Sequence, residues 1–152
     1  MTEPFPLPEP MRLALDCARA SAEAGEVPIG AVVMLAGRVI ATGENRNRRD
    51  KDPTAHAEIV AIRAACAALG QDRLTGCDLW VTLEPCAMCA GAIAHARIAR
   101  LYYGAPDTKG GGVDHGARVF AQPQCHHRPE LFPGIGEAAS AGLLRGFFAA
   151  RR

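Results

Sequence analysis

The sequence predicts a three-layer α/β/α domain around a central mixed five-stranded sheet. Three observations carry that reading. Ile29 to Leu35 and Val39 to Thr42 are apolar, partly β-branched runs joined by Ala36-Gly37, the pattern of an antiparallel hairpin. Asp78 to Leu83 and Ile98 to Tyr103 are apolar runs with a helical stretch between them, which implies parallel pairing through a right-handed crossover. Helical segments alternate with strands along the chain, and that alternation places helices on both faces of a sheet.

Taken in order, Thr2 to Pro8 is proline-rich, and residues 1–8 are expected to be an extended tail. Met11 to Ala24 is rich in Ala, Leu and Arg, all good helix formers. Met11, Leu15, Ala18 and Ala22 line one helical face, and Gly25 is placed to end the helix. The hairpin follows, then a polar loop from Arg46 to Pro53. Thr54 is expected to cap a helix from Ala55 to Leu69, closed by Gly70. After the strand at Asp78–Leu83, Pro85 opens a helix reaching Ala96, since proline suits a first turn. Gly104 to Gly116 reads as loop, with Gly110, Gly111 and Gly112 as a flexible hinge. A short fifth strand is expected near Arg128–Phe132, and Ile135 to Arg152 forms the last helix. There is no repeat and no linker, so residues 1–152 read as a single domain.

With 152 residues, 49% hydrophobic and 22% charged, the chain is long and apolar enough for a sizeable core and is not disordered. No apolar run is long enough for a membrane span. The N-terminus lacks a basic region followed by an apolar stretch, so it is not a secretory signal, and a cytoplasmic location is expected. In such a reducing compartment the six cysteines favour metal ligation or burial over disulfides. Cys17, Cys66 and Cys77 read as small buried hydrophobes. A net charge of +1 excludes a generic nucleic-acid binder. Charge is uneven, however. Arg46, Arg48, Arg49 and Lys51 cluster ahead of His56, and Arg145, Arg151 and Arg152 surround Phe147 and Phe148 at the end. Either cluster alone is equally a solvated surface.

Chemistry concentrates in two short stretches, His56-Ala57-Glu58 and Pro85-Cys86-Ala87-Met88-Cys89. One imidazole and two thiolates are zinc ligands, because borderline-soft Zn²⁺ takes nitrogen and sulfur. Three protein ligands leave a fourth tetrahedral position open to water, as in catalytic zinc sites, with one ion per subunit. Glu58 is then the proton carrier beside that water. His56 and Glu58, two apart, would lie about 200° apart on an ideal helix, so both reach one ion only if it sits off the helix end. There the positive ends of two helix dipoles favour thiolate over thiol. Zn²⁺ with two thiolates and a neutral imidazole carries no net charge and acidifies water less than an all-imidazole site, which leaves more for Glu58 to do. The adjacent Cys125-His126-His127 is a weaker metal candidate, since neighbouring residues rarely converge on one ion.

Beyond these motifs, Val27-Pro28-Ile29-Gly30-Ala31-Val32, Asn45-Arg46, Asp52 to Glu58, Val81 to Ala92, Tyr103-Gly104-Ala105 and the closing Phe147-Phe148 with Arg151-Arg152 resemble the cytidine-deaminase-like superfamily. Within it they resemble the bacterial tRNA adenosine deaminases. The likeness is strong over residues 27–105 and patchier beyond, where Pro106 to Pro133 departs from the familiar pattern. The H-x-E and P-C-x-x-C pair is the known signature of zinc-dependent base deaminases. The resemblance implies zinc on His56, Cys86 and Cys89 and acid/base work by Glu58. It implies that Asn45 hydrogen-bonds the target base, that Asp107 touches ribose, and that Arg151 and Arg152 meet the RNA. It implies a homodimer acting on a tRNA anticodon stem-loop, converting wobble adenosine to inosine. The alternatives are a deaminase of a free nucleobase or nucleoside such as guanine or cytosine, and a non-catalytic RNA-binding module. The intact Glu58 speaks against the module, and the basic clusters favour RNA over a free base.

Overall fold

The computed structural model describes residues 6–151. Its elements are α1 (Glu9–Glu23), β1 (Gly30–Leu35), β2 (Arg38–Glu44), α2 (Ala57–Leu69), β3 (Asp78–Leu83), α3 (Ala87–Ala96), β4 (Arg100–Ala105), β5 (Glu130–Phe132) and α4 (Glu137–Ala149). A short 3₁₀ turn, Val119–Ala121, interrupts the long connection before β5. The sheet order is β2-β1-β3-β4-β5. β1 runs antiparallel to both β2 and β3, while β3, β4 and β5 are parallel. The expected mixed five-stranded sheet is therefore present.

Side-chain alternation along the central strands sorts the core into two layers. Ala31, Val33, Leu79, Val81, Leu101 and Tyr103 point to one face, where α2 and α3 cover them with Ala61, Ile62, Ala65, Ile93 and Ala94. Val32 and Trp80 point to the other face and meet Met11, Ala14 and Leu15 of α1, with Ala139 and Leu143 of α4 at the margin. On this second face Trp80, Tyr102 and Phe132 stack in consecutive strands, with ring centroids 3.8 Å and 4.6 Å apart. That aromatic row seats the three-residue edge strand β5.

All four helix starts differ from the sequence expectation by two residues, α1 beginning earlier, at Glu9 and not Met11, and the others later. α2 begins at Ala57 with His56 in the N-cap position, in extended backbone, and not at Ala55 behind a Thr54 cap. Asp52 captures Thr54 instead, accepting from its amide and its hydroxyl at 2.9 Å and 2.7 Å. α3 begins at Ala87 with Cys86 as N-cap, and not at Pro85. α4 is also shorter at both ends than expected. Of the expected N-terminal tail, residues 1–5 lie outside the described residues, and 6–8 are neither helix nor strand.

The close seat of α2 on the sheet explains Gly43. A Cβ there would lie 2.4 Å from the Ala57 carbonyl and 2.6 Å from the Ala61 amide, so only glycine lets the first turn of α2 come this near. Among the described residues no helix is long and apolar enough to cross a membrane.

Candidate metal centre

His56 and Cys86 occupy equivalent places. Each is an N-cap in extended conformation, one before α2 and one before α3. Cys89 follows in the first turn of α3. The His56 Nδ1 atom is 3.6 Å from the Sγ of Cys86 and 3.6 Å from the Sγ of Cys89. A tetrahedral zinc with Zn–S of about 2.3 Å and Zn–N of about 2.0–2.1 Å sets nitrogen and sulfur about 3.6 Å apart. The donor set fits the ion, and the three ligand atoms lie within 4.8 Å of one another. Because His56 stands outside the helix, the two-residue step to Glu58 does not turn the two side chains apart.

The electrostatics agree with that donor set. The hydrogen bond from Cys89 holds the Cys86 thiol down at about 4, with His56 adding to it against the effect of burial. The same contact and burial drive Cys89 upward. A divalent cation would displace the thiol protons and hold both sulfurs as thiolates. His56 is raised chiefly by its bond to Cys86, in opposition to burial. Glu58 is 4% exposed, and burial pushes its carboxyl up to about 7. A carboxyl with that value can both take and give a proton near neutrality.

A cavity of about 550 Å³ opens beside His56, lined by Val27, Ile29, Asn45, Asp107, Lys109 and Phe148 among others. Asn45 is 5% exposed. It donates from Nδ2 to the Val27 carbonyl at 3.1 Å and accepts at Oδ1 from the Ala57 amide at 2.9 Å. A carboxamide has two donors and two acceptor sites, so one of each remains for a ligand. Asp107 sits at the cavity mouth, its Oδ1 accepting from the amides of Lys109 and Gly110. Arg151 lies over the Phe147 ring, 3.4 Å from its centroid, and also donates to the Phe147 carbonyl. Arg152 lies outside the described residues.

The basic cluster before His56 is divided in its work. Arg49 pairs with the buried Glu26 and with Glu44, and Arg46 with Asp50. Arg48 and Lys51 are exposed. Cys125 donates to the His127 carbonyl, and His127 to the Ile98 carbonyl. Among the described residues, His56, Cys86 and Cys89 are the one group of three or more that could hold an ion.

Two buried acids escaped the sequence reading. Glu26 accepts from the amides of Arg48 and Arg49 and from the Arg49 guanidinium. Glu84 accepts from the amides of Asp107, Val113, Asp114 and His115 and from the His115 ring. The available signal was position: each acid adjoins an apolar segment that the fold buries. The triple glycine has a packing reason. A Cβ on Gly111 would fall 2.4 Å from Glu84 Oε2, and one on Gly112 would fall 2.5 Å from the Ala87 amide. These glycines are demanded by tight packing of the loop onto Glu84 and the start of α3.

Zinc with an open position beside a carboxylate serves several hydrolyses, and the pairing of H-x-E with P-C-x-x-C is the form it takes in zinc-dependent base deaminases. The chain is in that class, a zinc-dependent hydrolytic deaminase. It belongs to the family defined by the cytidine and deoxycytidylate deaminase zinc-binding region, which matches residues 8–105. It is 61% identical, across 93% of both chains, to the tRNA-specific adenosine deaminase of Agrobacterium fabrum. A solved structure from work on A-to-I editing by tRNA A34 deaminases superimposes with a TM-score of 0.88 at 61% identity, over 89% of this chain and 98% of that one. The guanine deaminase of Bacillus subtilis superimposes with a TM-score of 0.65 at 34% identity, over 93% and 91% of the two chains.

Proposed function

We propose that the chain deaminates adenosine to inosine at the wobble position of a tRNA anticodon stem-loop, in the cytoplasm and as a homodimer. The observation that carries the choice of substrate is the 61% identity to a tRNA-specific adenosine deaminase across nearly the whole of both chains, against 34% to a guanine deaminase. The site supports it. The cavity of about 550 Å³ has room for more than one base, and Phe148, 48% exposed at its rim, offers a stacking face. Arg48, Lys51 and Lys109 supply exposed cations for phosphate.

His56, Cys86 and Cys89 would hold zinc, which would supply a water made nucleophilic near neutral pH. Glu58 moves the protons. It accepts one proton from the water as oxygen adds to C6 and delivers it to N1 of the ring, then takes the second from the new C6 hydroxyl and passes it to the leaving amine as the C6–N bond breaks. Water and adenosine thus become ammonia and inosine. Asn45 would hold the base with its unused amide hydrogen and lone pair. The outward face of α3, with Met88 38% exposed beside Ala87, Gly91 and Ala92, supports the dimer, since small residues let a second copy approach closely.

The test is direct. The purified protein is offered an anticodon stem-loop with adenosine at the wobble position, with guanine and cytosine in parallel, and inosine is read by mass spectrometry. Turnover of a free base without inosine in the RNA would reverse the assignment. Sedimentation that gives only the mass of one 16.0 kDa chain at micromolar concentration would remove the dimer.

A further inference from the structure

We propose that Glu84 is a positioning residue for substrate, acting through Asp107. The proposal rests on the reading of Asp107 as a substrate contact. Glu84 follows β3 and stands two residues before the metal ligand Cys86, and its side chain is fully buried. An ionised carboxylate only accepts hydrogen bonds, and this one meets five donors. Oε2 takes the amides of Val113, Asp114 and His115 at 3.2, 3.0 and 3.1 Å. Oε1 takes the Asp107 amide at 3.0 Å and the His115 Nδ1 at 2.7 Å. The one group therefore gathers both ends of the loop 107–115 and ties it to the strand that delivers Cys86. Asp107 and Lys109 of that loop line the cavity beside His56. Glu84 thereby fixes where they stand relative to His56, with Gly111 and Gly112 allowing the approach.

The two oxygens make the idea separable from general folding. In Glu84→Gln the amide oxygen best serves the three amides at Oε2. The NH₂ then takes the Oε1 place, where a shift of the His115 tautomer can receive it. The Asp107 amide alone is left facing a donor. The variant thus releases one anchor and leaves the rest.

Kinetics on a synthetic anticodon stem-loop, with zinc content read in parallel, test this in Glu84→Gln, Asp107→Ala and the double variant. Expected are a KM raised about tenfold in each single variant, the scale of one charge-assisted bond removed, and kcat within about threefold of wild type. The double variant should be no worse than the worse single one, because both changes remove the same interaction. Zinc should stay at the wild-type level throughout. His115→Ala gives a second route if Glu84→Gln fails to fold: it removes the one side-chain donor and should raise KM with zinc and kcat kept. If Asp107→Ala raises KM while Glu84→Gln and His115→Ala do not, the proposal is wrong and the reading of Asp107 stands. If Asp107→Ala leaves KM unchanged, that reading fails and takes the proposal with it. A Glu84→Gln or His115→Ala variant that loses zinc or kcat at constant KM would make Glu84 a support of the metal alone and overturn the proposal.

Discussion

Asn45 and Ala57 are joined by a hydrogen bond of 2.9 Å from the Ala57 amide to Asn45 Oδ1, so the end of β2 caps the helix that carries Glu58. The N-cap residue of that helix, His56, makes no side-chain cap bond of its own. Its imidazole faces the two sulfurs, and the capping falls to a residue twelve positions before Ala57. Asn45→Ala should therefore destabilise the fold by about 2 kcal/mol, the Ala57 amide at the helix start and the Val27 carbonyl both losing a partner. In a chain of this size that is about 4–8 °C in Tm, read by thermal denaturation. An unchanged Tm would show that water replaces the cap.

Glu58→Gln should retain zinc and fold while losing about 10²–10⁴-fold in turnover, because the amide cannot carry a proton. Cys86→Ala should lose zinc instead. Metal analysis beside single-turnover assays distinguishes the two. Near-normal turnover in Glu58→Gln would end its role as proton carrier.

Glu26 links stability to acid. Burial alone would raise its carboxyl, but the amides of Arg49 and Arg48 and the Arg49 guanidinium outweigh it and hold the value below the ordinary one. The unfolded chain thus takes up this proton first as pH falls. The stability it contributes is complete above the unfolded value, about pH 4.5, and is lost as pH drops through the lower folded value. Urea midpoints for wild type and Glu26→Gln should differ most near pH 7 and converge toward pH 3. A gap that stays constant over that range would remove Glu26 from the acid response.

Neutralising Arg48 and Lys51 together should weaken stem-loop binding and reduce the salt slope by about 0.7 for each phosphate left without its cation. Zinc content and Tm should hold, since both side chains are exposed. Arg49→Ala should behave differently and lower Tm, because its guanidinium serves Glu26 and Glu44. Salt-independent binding in the wild type would count against phosphate recognition altogether.

The layers and the metal ligands were legible in the sequence because each rests on a local pattern. The hairpin, the crossover and the ligand spacing all repeat a rule of geometry or coordination. The helix starts were not legible. Thr54 is a good cap by composition, but Asp52 lies close enough to claim its hydroxyl, and the true cap comes from Asn45. Glu26 and Glu84 read as ordinary surface acids until the fold buries them under backbone amides from 22 and 23 or more residues away. For the same reason Arg49 could not be told from Arg48. A run of like charges carries no mark of which member turns inward.

Trp80 is the only tryptophan of the chain, and it stands in the aromatic row on the face of the sheet opposite α2 and α3. Its indole N–H is the one buried side-chain donor or acceptor without a partner among the described residues. The protein thus carries a built-in fluorophore, 9% exposed and stacked on Tyr102, on the α1 side of the sheet. Its emission reports on how α1 and α4 seat against β3 and β4. Chelation can be followed by metal analysis and unfolding by light, on one sample and without a label.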